Sequence, residues 1–478
     1  MSHERLLDVR NPRTGESDYR IAAAGAETVA AAAARLRAAQ PAWAARPLDE
    51  RLSVLDDWVA AVSRHRDGLM EALVADTGRH FVSSAEIAGL AGTVARWSQR
   101  APELLAEPLQ SSSVPGISYR TRLVPIPLVG AISPWNFPLT LSLIDAIPAL
   151  AAGCAVLVKP SEVTPRFVAP LGEALAEVPA LEAVLGFVLG DGATGAALVD
   201  NVDAVCFTGS VATGRRVGVA AAERFIPAFL ELGGKDPMVV LASAEPRRAA
   251  ATALRASVTA TGQACQSVER VYVAQEIFEP FLAELVAAAG QVELNWPDIH
   301  EGHIGPLIFE RQAETIRAQL EDAVARGATI HCGGEIEHHG GGLWIRPTVV
   351  TGVDHGMALM REETFGPVLP VMPFDTVEEA VALANDTEFG LSAAVLAGSL
   401  DEAEAVGRHL EAGAVSLNDG ALTAQFYEAE KDSFKYSGLG GSRMGPAGMR
   451  RFLRRRALIR QENEPATIEA LAERHGRP

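Results

Sequence analysis

Apolar side chains in the N-terminal part of the chain recur every three or four positions among Ala, Arg and Asp. That spacing predicts amphipathic helices over 22–45 and 51–65. From Tyr119 the texture changes. The run Tyr119-Arg120-Thr121-Arg122-Leu123-Val124-Pro125-Ile126 alternates polar and apolar residues, which predicts an exposed strand. Short, wholly apolar runs follow at 155–158, 183–189, 204–207 and 225–231, each trailed by Gly, Ser, Thr or Pro and then a helical pattern. Strands without a polar face, separated by helices, imply a parallel sheet covered on both sides. A second alternating block begins near Lys235, with strands expected at 271–273, 345–350, 368–372, 393–396 and 414–417 and helices at 311–326 and 377–385. Gly340-Gly341-Gly342 reads as a hairpin tip, and 457–461 as a last strand before a polar tail. The pattern therefore predicts two α/β units with a cleft between them.

Composition narrows the function classes. A chain of 478 residues is long enough for two or three domains. Its formal charge of −18 argues against a general phosphate-backbone binder, which needs clustered Lys and Arg. The basic run Arg450 to Arg456 is a local exception, read as a solvated helix end or a subunit contact. Four cysteines with no Cys-x-x-Cys spacing suggest neither a disulfide framework nor a structural zinc site, so no metal is expected. The longest apolar stretch, 138–158, is interrupted by Asp145, Gly153 and prolines and falls short of a membrane span. The segment Met1 to Arg5 lacks the basic-then-apolar layout of a secretion signal, and a cytoplasmic location is expected.

Several residues are candidates for chemistry. Cys265 lies among small polar residues in Thr261-Gly262-Gln263-Ala264-Cys265-Gln266, unlike Cys154 and Cys206, which are flanked by Ala, Gly and Val and read as core. A thiol in such a setting is either structural or a nucleophile. Glu231 ends a predicted strand before Gly233-Gly234; it either caps the turn or faces a cleft as a general base. Asn136, between Trp135 and Phe137, either satisfies a buried backbone group or aims its amide at an oxyanion. Gly209 and Ser210 open a helix after a strand, as a plain turn or a phosphate cradle. Lys159 and Glu162 follow another strand, where they are surface charges or partners for ribose hydroxyls.

Together these segments resemble the aldehyde dehydrogenase superfamily. The likeness runs from Asn11 to about Arg460. It rests on Pro134-Trp135-Asn136-Phe137-Pro138, Lys159-Pro160-Ser161-Glu162, Phe207-Thr208-Gly209-Ser210, Glu231-Leu232-Gly233-Gly234-Lys235, Gly262-Gln263-Ala264-Cys265 and Glu362-Glu363-Thr364-Phe365-Gly366-Pro367. The resemblance implies a Rossmann-like NAD-binding domain (1–117 and 128–233) and a second α/β catalytic domain (234–445). It also implies a small β oligomerisation arm (118–127 and 446–463), with a polar tail at 464–478. It further implies Cys265 as nucleophile, Asn136 and the Cys265 N–H as oxyanion donors, and Glu231 as the base that activates water. Trp135, Lys159, Glu162, Gly209, Ser210, Leu232, Glu363 and Phe365 would border the cofactor, NAD, with NADP as the alternative. A homodimer or homotetramer is expected, with a small aldehyde and water as substrates.

The chain departs from the family where Pro-Phe-Gly-Gly commonly precedes Lys-x-Ser-Gly-x-Gly: here the residues are Lys431-Asp432-Ser433-Phe434. The usual Arg-Glu after the last glycine is replaced by Gly441-Ser442-Arg443. Leu141, Ile144, Gln266 and Phe426 are the candidate pocket residues, with ordinary core packing as the other reading for Leu141, Ile144 and Phe426. No Arg stands beside Asn136 or Cys265 in sequence, which favours an uncharged aromatic or aliphatic aldehyde over a semialdehyde.

Overall fold

The protein was analysed as a computed structural model, which describes residues 5–471; residues 1–4 and 472–478, part of the expected first domain and tail, lie outside the described residues. In one sheet, strands Leu128–Ile132, Ala155–Lys159, Leu185–Phe187, Ala204–Thr208 and Ala228–Glu231 run parallel, with Leu128–Ile132 between the 155 and 204 strands. Every residue of Ala155–Lys159 and Ala204–Thr208 is buried, the signature of strands sandwiched between helices. Trp43, Trp58 and Leu36 from the N-terminal helices Ala26–Ala45 and Leu48–Arg64 share one core with these strands.

The second sheet has seven strands, parallel except for the edge strand Thr329–Cys332. Alternate residues of its strands enter different cores. Val239, Tyr272 and Val395 meet helix Glu310–Ala325, whereas Met238, Val271 and Ala394 meet helices Pro246–Val258 and Phe278–Ala289. Away from both sheets, Leu453–Gln461 pairs antiparallel along Ile117–Pro125, which also pairs with Leu109–Ser111; most of this ribbon is exposed.

Three predicted elements shift. Residues 22–23 belong to strand Ser17–Ala23, and the helix starts only at Ala26, after Gly25. The strand expected at 225–231 begins at Ala228, because Phe225 takes a left-handed φ of 54° and points to solvent. The expected 345–350 strand is two strands, Gly342–Ile345 and Thr348–Thr351. Pro347, which has no N–H to donate, lies between them. Gly340 and Gly341 do tip the hairpin of Ile336–His339 with Gly342–Ile345.

Candidate active site

Five segments that leave strand and helix ends meet around Cys265. The first is Glu231 to Lys235. Glu231 ends its strand, and its carbonyl accepts from Gly209 N–H at 3.1 Å. The next glycines are required by space: a Cβ on Gly233 would stand 2.7 Å from the Glu363 carboxylate oxygens, and one on Gly234 would stand 2.7 Å from the Cys265 carbonyl oxygen. This loop thereby packs Gly234, three residues after Glu231, against the Cys265 backbone.

The second segment bears the thiol. Ala260, Thr261 and Gly262 have φ of 55°, 62° and 67°, three consecutive left-handed residues. For a β-branched Thr that is a strained conformation, costing on the order of 1–3 kcal/mol. It is held from both sides. Thr261 Oγ1 bonds Gly305, and buried Gln263 donates to Pro306 O at 3.1 Å while accepting from Ile308 N–H at 2.9 Å. Gly262 packs so closely that a Cβ there would lie 2.3 Å from the Gly366 carbonyl carbon.

In the third segment, buried Asn136 donates from Nδ2 to Gln263 O at 3.0 Å. That bond ties the amide to the loop two residues before Cys265 and uses one of its two N–H donors. Buried Arg79 grips the carbonyls of both Asn136 and Ala260, while Glu86 accepts from Thr140 N–H at 2.9 Å. The fourth segment, Glu362 to Pro367, is fastened by a buried charge pair. Lys235 Nζ donates to Glu269 Oε2 and Thr364 Oγ1, both at 2.8 Å, and Glu269 accepts the N–H groups of Thr364 and Phe365. Glu363 then accepts from Gly234 N–H at 3.1 Å, and the Phe365 ring meets Trp135 edge-on at 5.3 Å.

The fifth segment is the divergent one. Gly438–Leu439 adds an antiparallel edge strand beside Ala228–Glu231 of the first sheet, opposite Glu231 itself. Ser433 donates to Glu231 Oε2 at 3.4 Å. Ser437 accepts Leu232 N–H through its carbonyl, and its hydroxyl donates to Gly233 O at 2.7 Å. Arg443 forms a two-pronged pair with Asp145 at 3.1 and 2.9 Å, and Arg451 joins the same carboxylate. Arg451 is therefore a buried partner rather than part of a solvated basic run; Arg454 to Arg456, by contrast, are exposed.

Burial pushes the Cys265 thiol up to about 12, with Glu363, Asp236 and Glu231 adding to the rise and Lys431 opposing it. Burial likewise pushes Glu363 to about 8 and Asp236 to about 7. The resting site thus favours a thiol over a thiolate. Cys154 and Cys206 are buried in the first core.

On the cofactor-side expectations, buried Lys159 pairs with Glu162 at 2.9 Å beyond the carboxyl end of its strand. Ser210, exposed, caps the helix Val211–Glu223 after Gly209. Leu232 packs so tightly on that helix that a Cβ on Gly214 would meet its Cδ2 at 2.4 Å. These groups sit at the carboxyl ends of parallel strands of one sheet, where α/β sheets place ligands. Of the pocket candidates, Leu141 and Ile144 are half-buried neighbours at the end of helix Pro138–Leu143. Gln266 keeps a buried Oε1 without a hydrogen-bond partner, and Phe426 is 54% exposed. Lys235, Glu269, Arg79 and Lys431 were not singled out from sequence. Glu269 and Arg270 at the start of an apolar strand were the available signal, since buried charges demand partners. Among the described residues no cluster of three or more His, Cys, Asp or Glu could hold a metal, and no helix is long and apolar enough to cross a membrane.

The aldehyde dehydrogenase family model matches residues 1–458. A Mycolicibacterium smegmatis protein provisionally named succinate-semialdehyde dehydrogenase [NADP(+)] is 38% identical, covering 93% of this chain and 88% of its own. The solved structure of a protein provisionally named aldehyde dehydrogenase PutA, from Anabaena variabilis, superposes with a TM-score of 0.96 at 54% identity, over 97% of this chain and 99% of that one. Betaine aldehyde dehydrogenase from Staphylococcus aureus, solved in complex with NAD+, superposes at 0.91 with 28% identity, over 97% and 93%. A thiol, a carboxylate and an amide gathered at the mouth of a parallel sheet thus have their counterpart in whole-chain likeness: this chain belongs to the aldehyde dehydrogenase family and is an oxidoreductase acting on aldehydes.

Proposed function

We propose that Cys265 Sγ adds to the aldehyde carbonyl carbon, that NAD, when bound, would supply the hydride acceptor for that adduct, and that Glu231 activates the water that hydrolyses the resulting thioester. The observation that carries this reading is the tie of Asn136 to the Cys265 loop, with Gly234, three residues after Glu231, packed against the Cys265 carbonyl. The second Nδ2 N–H of Asn136 is spare for the oxyanion that forms on carbonyl addition, where such a donor is worth on the order of 100-fold in rate. The thiol proton must leave first, and Glu231 is the carboxylate available to take it, by the same chemistry that later draws a proton from water. Acid, NADH and protons are the products.

NAD supplies the hydride acceptor. The residues fit it: Lys159 keeps N–H donors beyond its bond to Glu162, which offers carboxylate acceptors, a pairing suited to a vicinal ribose diol. Ser210 at the exposed start of a 13-residue helix suits the pyrophosphate. The Glu162 carboxylate would repel a 2′-phosphate, so NAD is preferred over NADP. The exposed ribbon of Ile117–Pro125 and Leu453–Gln461 is the proposed contact between copies in a dimer or tetramer.

Wild type, Cys265→Ala and Glu231→Gln are compared for NADH formation on an aldehyde panel. Cys265→Ala is expected to abolish turnover. Glu231→Gln is expected to give no more than one NADH per site before stalling. Steady turnover by Glu231→Gln at the wild-type rate would refute the base assignment.

A further inference from the structure

In the divergent segment, the Nζ of Lys431 is fully enclosed yet has no hydrogen-bond partner. A buried ammonium ordinarily finds an acceptor, because leaving one unmet costs several kcal/mol. Its backbone is fixed by a 2.9 Å bond from its own N–H to Ser442 Oγ, so the side chain is not a loose surface lysine. It lines a small cleft with Glu231, Asp432, Ser433, Ser442 and Arg451. It also lies near enough to Cys265 to act electrostatically on the thiol.

Lys235 is spent on Glu269 and Thr364, and Arg443 on Asp145; Arg451 also pairs with Asp145, although its buried Nε has no hydrogen-bond partner. Burial keeps Glu363 and Asp236, the carboxyl groups near Cys265 besides Glu231, largely or half protonated near neutrality. No Arg adjoins Asn136 or Cys265 in sequence, but the fold brings Lys431 from far along the chain into the cleft beside Glu231.

We propose that Lys431 anchors the carboxylate of the substrate, which makes this enzyme selective for an aldehyde bearing a second, anionic terminus: a short semialdehyde. This rests on the dehydrogenase reading above and names its substrate class. The anionic end supplies the acceptor that the ammonium lacks, and the aldehyde end is left at Cys265.

The test compares succinic semialdehyde with pentanal, a chain of similar length without the charge, in wild type, Lys431→Met and Lys431→Arg. A charge-assisted bond of this kind is worth about 10- to 100-fold. Wild type is expected to prefer the semialdehyde in kcat/KM by that factor. Lys431→Met is expected to lose the preference, mainly through a raised KM for the semialdehyde over and above any change the two aldehydes share, and Lys431→Arg to restore part of it. Equal use of both aldehydes by wild type would overturn the proposal, as would Lys431→Met losing both activities alike while remaining folded by circular dichroism. Turnover of pentanal marks the dehydrogenase reading as sound in either case; silence on both aldehydes by folded wild type that binds NAD would sink that reading and the anchor with it.

Discussion

Cys265 shows how far a residue's chemistry depends on neighbours that its own segment does not reveal. Burial raises its thiol to about 12, and Glu363 reinforces the rise. The reactive form is the thiolate, so its fraction grows about tenfold per pH unit below that value. Alkylation of the free enzyme by iodoacetamide is therefore expected to accelerate steadily from pH 7 to 9 without levelling. Glu363 loses its own proton only near pH 8, after which its charge opposes the thiolate. Glu363→Gln should thus react like wild type at pH 7 and several-fold faster at pH 9. A plateau below pH 8 in the wild-type profile would contradict this account.

At the scale of elements, the turn before Cys265 carries the strain. Gly262 has φ of 67° and touches the Gly366 carbonyl carbon where a Cβ would sit. Gly262→Ala must both occupy a left-handed conformation and push apart the loops that bear Cys265 and Phe365. Each effect costs about 1–3 kcal/mol. The substitution is expected to lower unfolding free energy by more than 2 kcal/mol, by about these magnitudes, and to cost activity at least tenfold. Gly89, by contrast, has open space around its Cβ position and a helical backbone, so Gly89→Ala serves as the contrasting control in urea unfolding, expected to stabilise by about 0.4–1 kcal/mol. Helix and strand positions were largely legible from periodicity: the expected helix at 377–385 coincides with Val377–Asn385, and the expected strand at 393–396 lies within Ser392–Leu396. Boundaries failed where backbone geometry overrode propensity, as at Phe225 and before Pro347.

Across the whole molecule, one buried carboxylate ties the C-terminal segment to the first sheet. Burial opposes ionisation of Asp145, but Arg443 and Arg451 outweigh it and hold its carboxyl below the usual carboxylate range. Arg443 also bonds Thr208 Oγ1, at the end of a central strand and paired in register with Glu231. Asp145→Asn would leave two guanidinium groups buried without their counter-charge. The expected loss is about 3–5 kcal/mol, seen as a lower denaturant midpoint. A double change of Asp145→Asn with Arg443→Met should recover part of it, because the stranded charge is then removed.

What the amino-acid sequence determined by itself was local: which runs are buried on both faces, where helices alternate with them, and which small-residue turns bear Glu231, Asn136 and Cys265. Those follow from spacings of a few residues, because helix and strand geometry repeat over that distance. Glu231, Asn136 and Cys265 were legible as candidates for the same reason, each standing in a short turn of distinctive residue types. Only the tertiary structure decided which distant charges meet. Asp145 and Arg451 are 306 positions apart, and Ser433 and Glu231 are 202 apart. No periodicity records such a pairing. It arises when strand order brings Gly438–Leu439 to the edge beside Glu231, in the segment that buries the Lys431 ammonium without a hydrogen-bond partner.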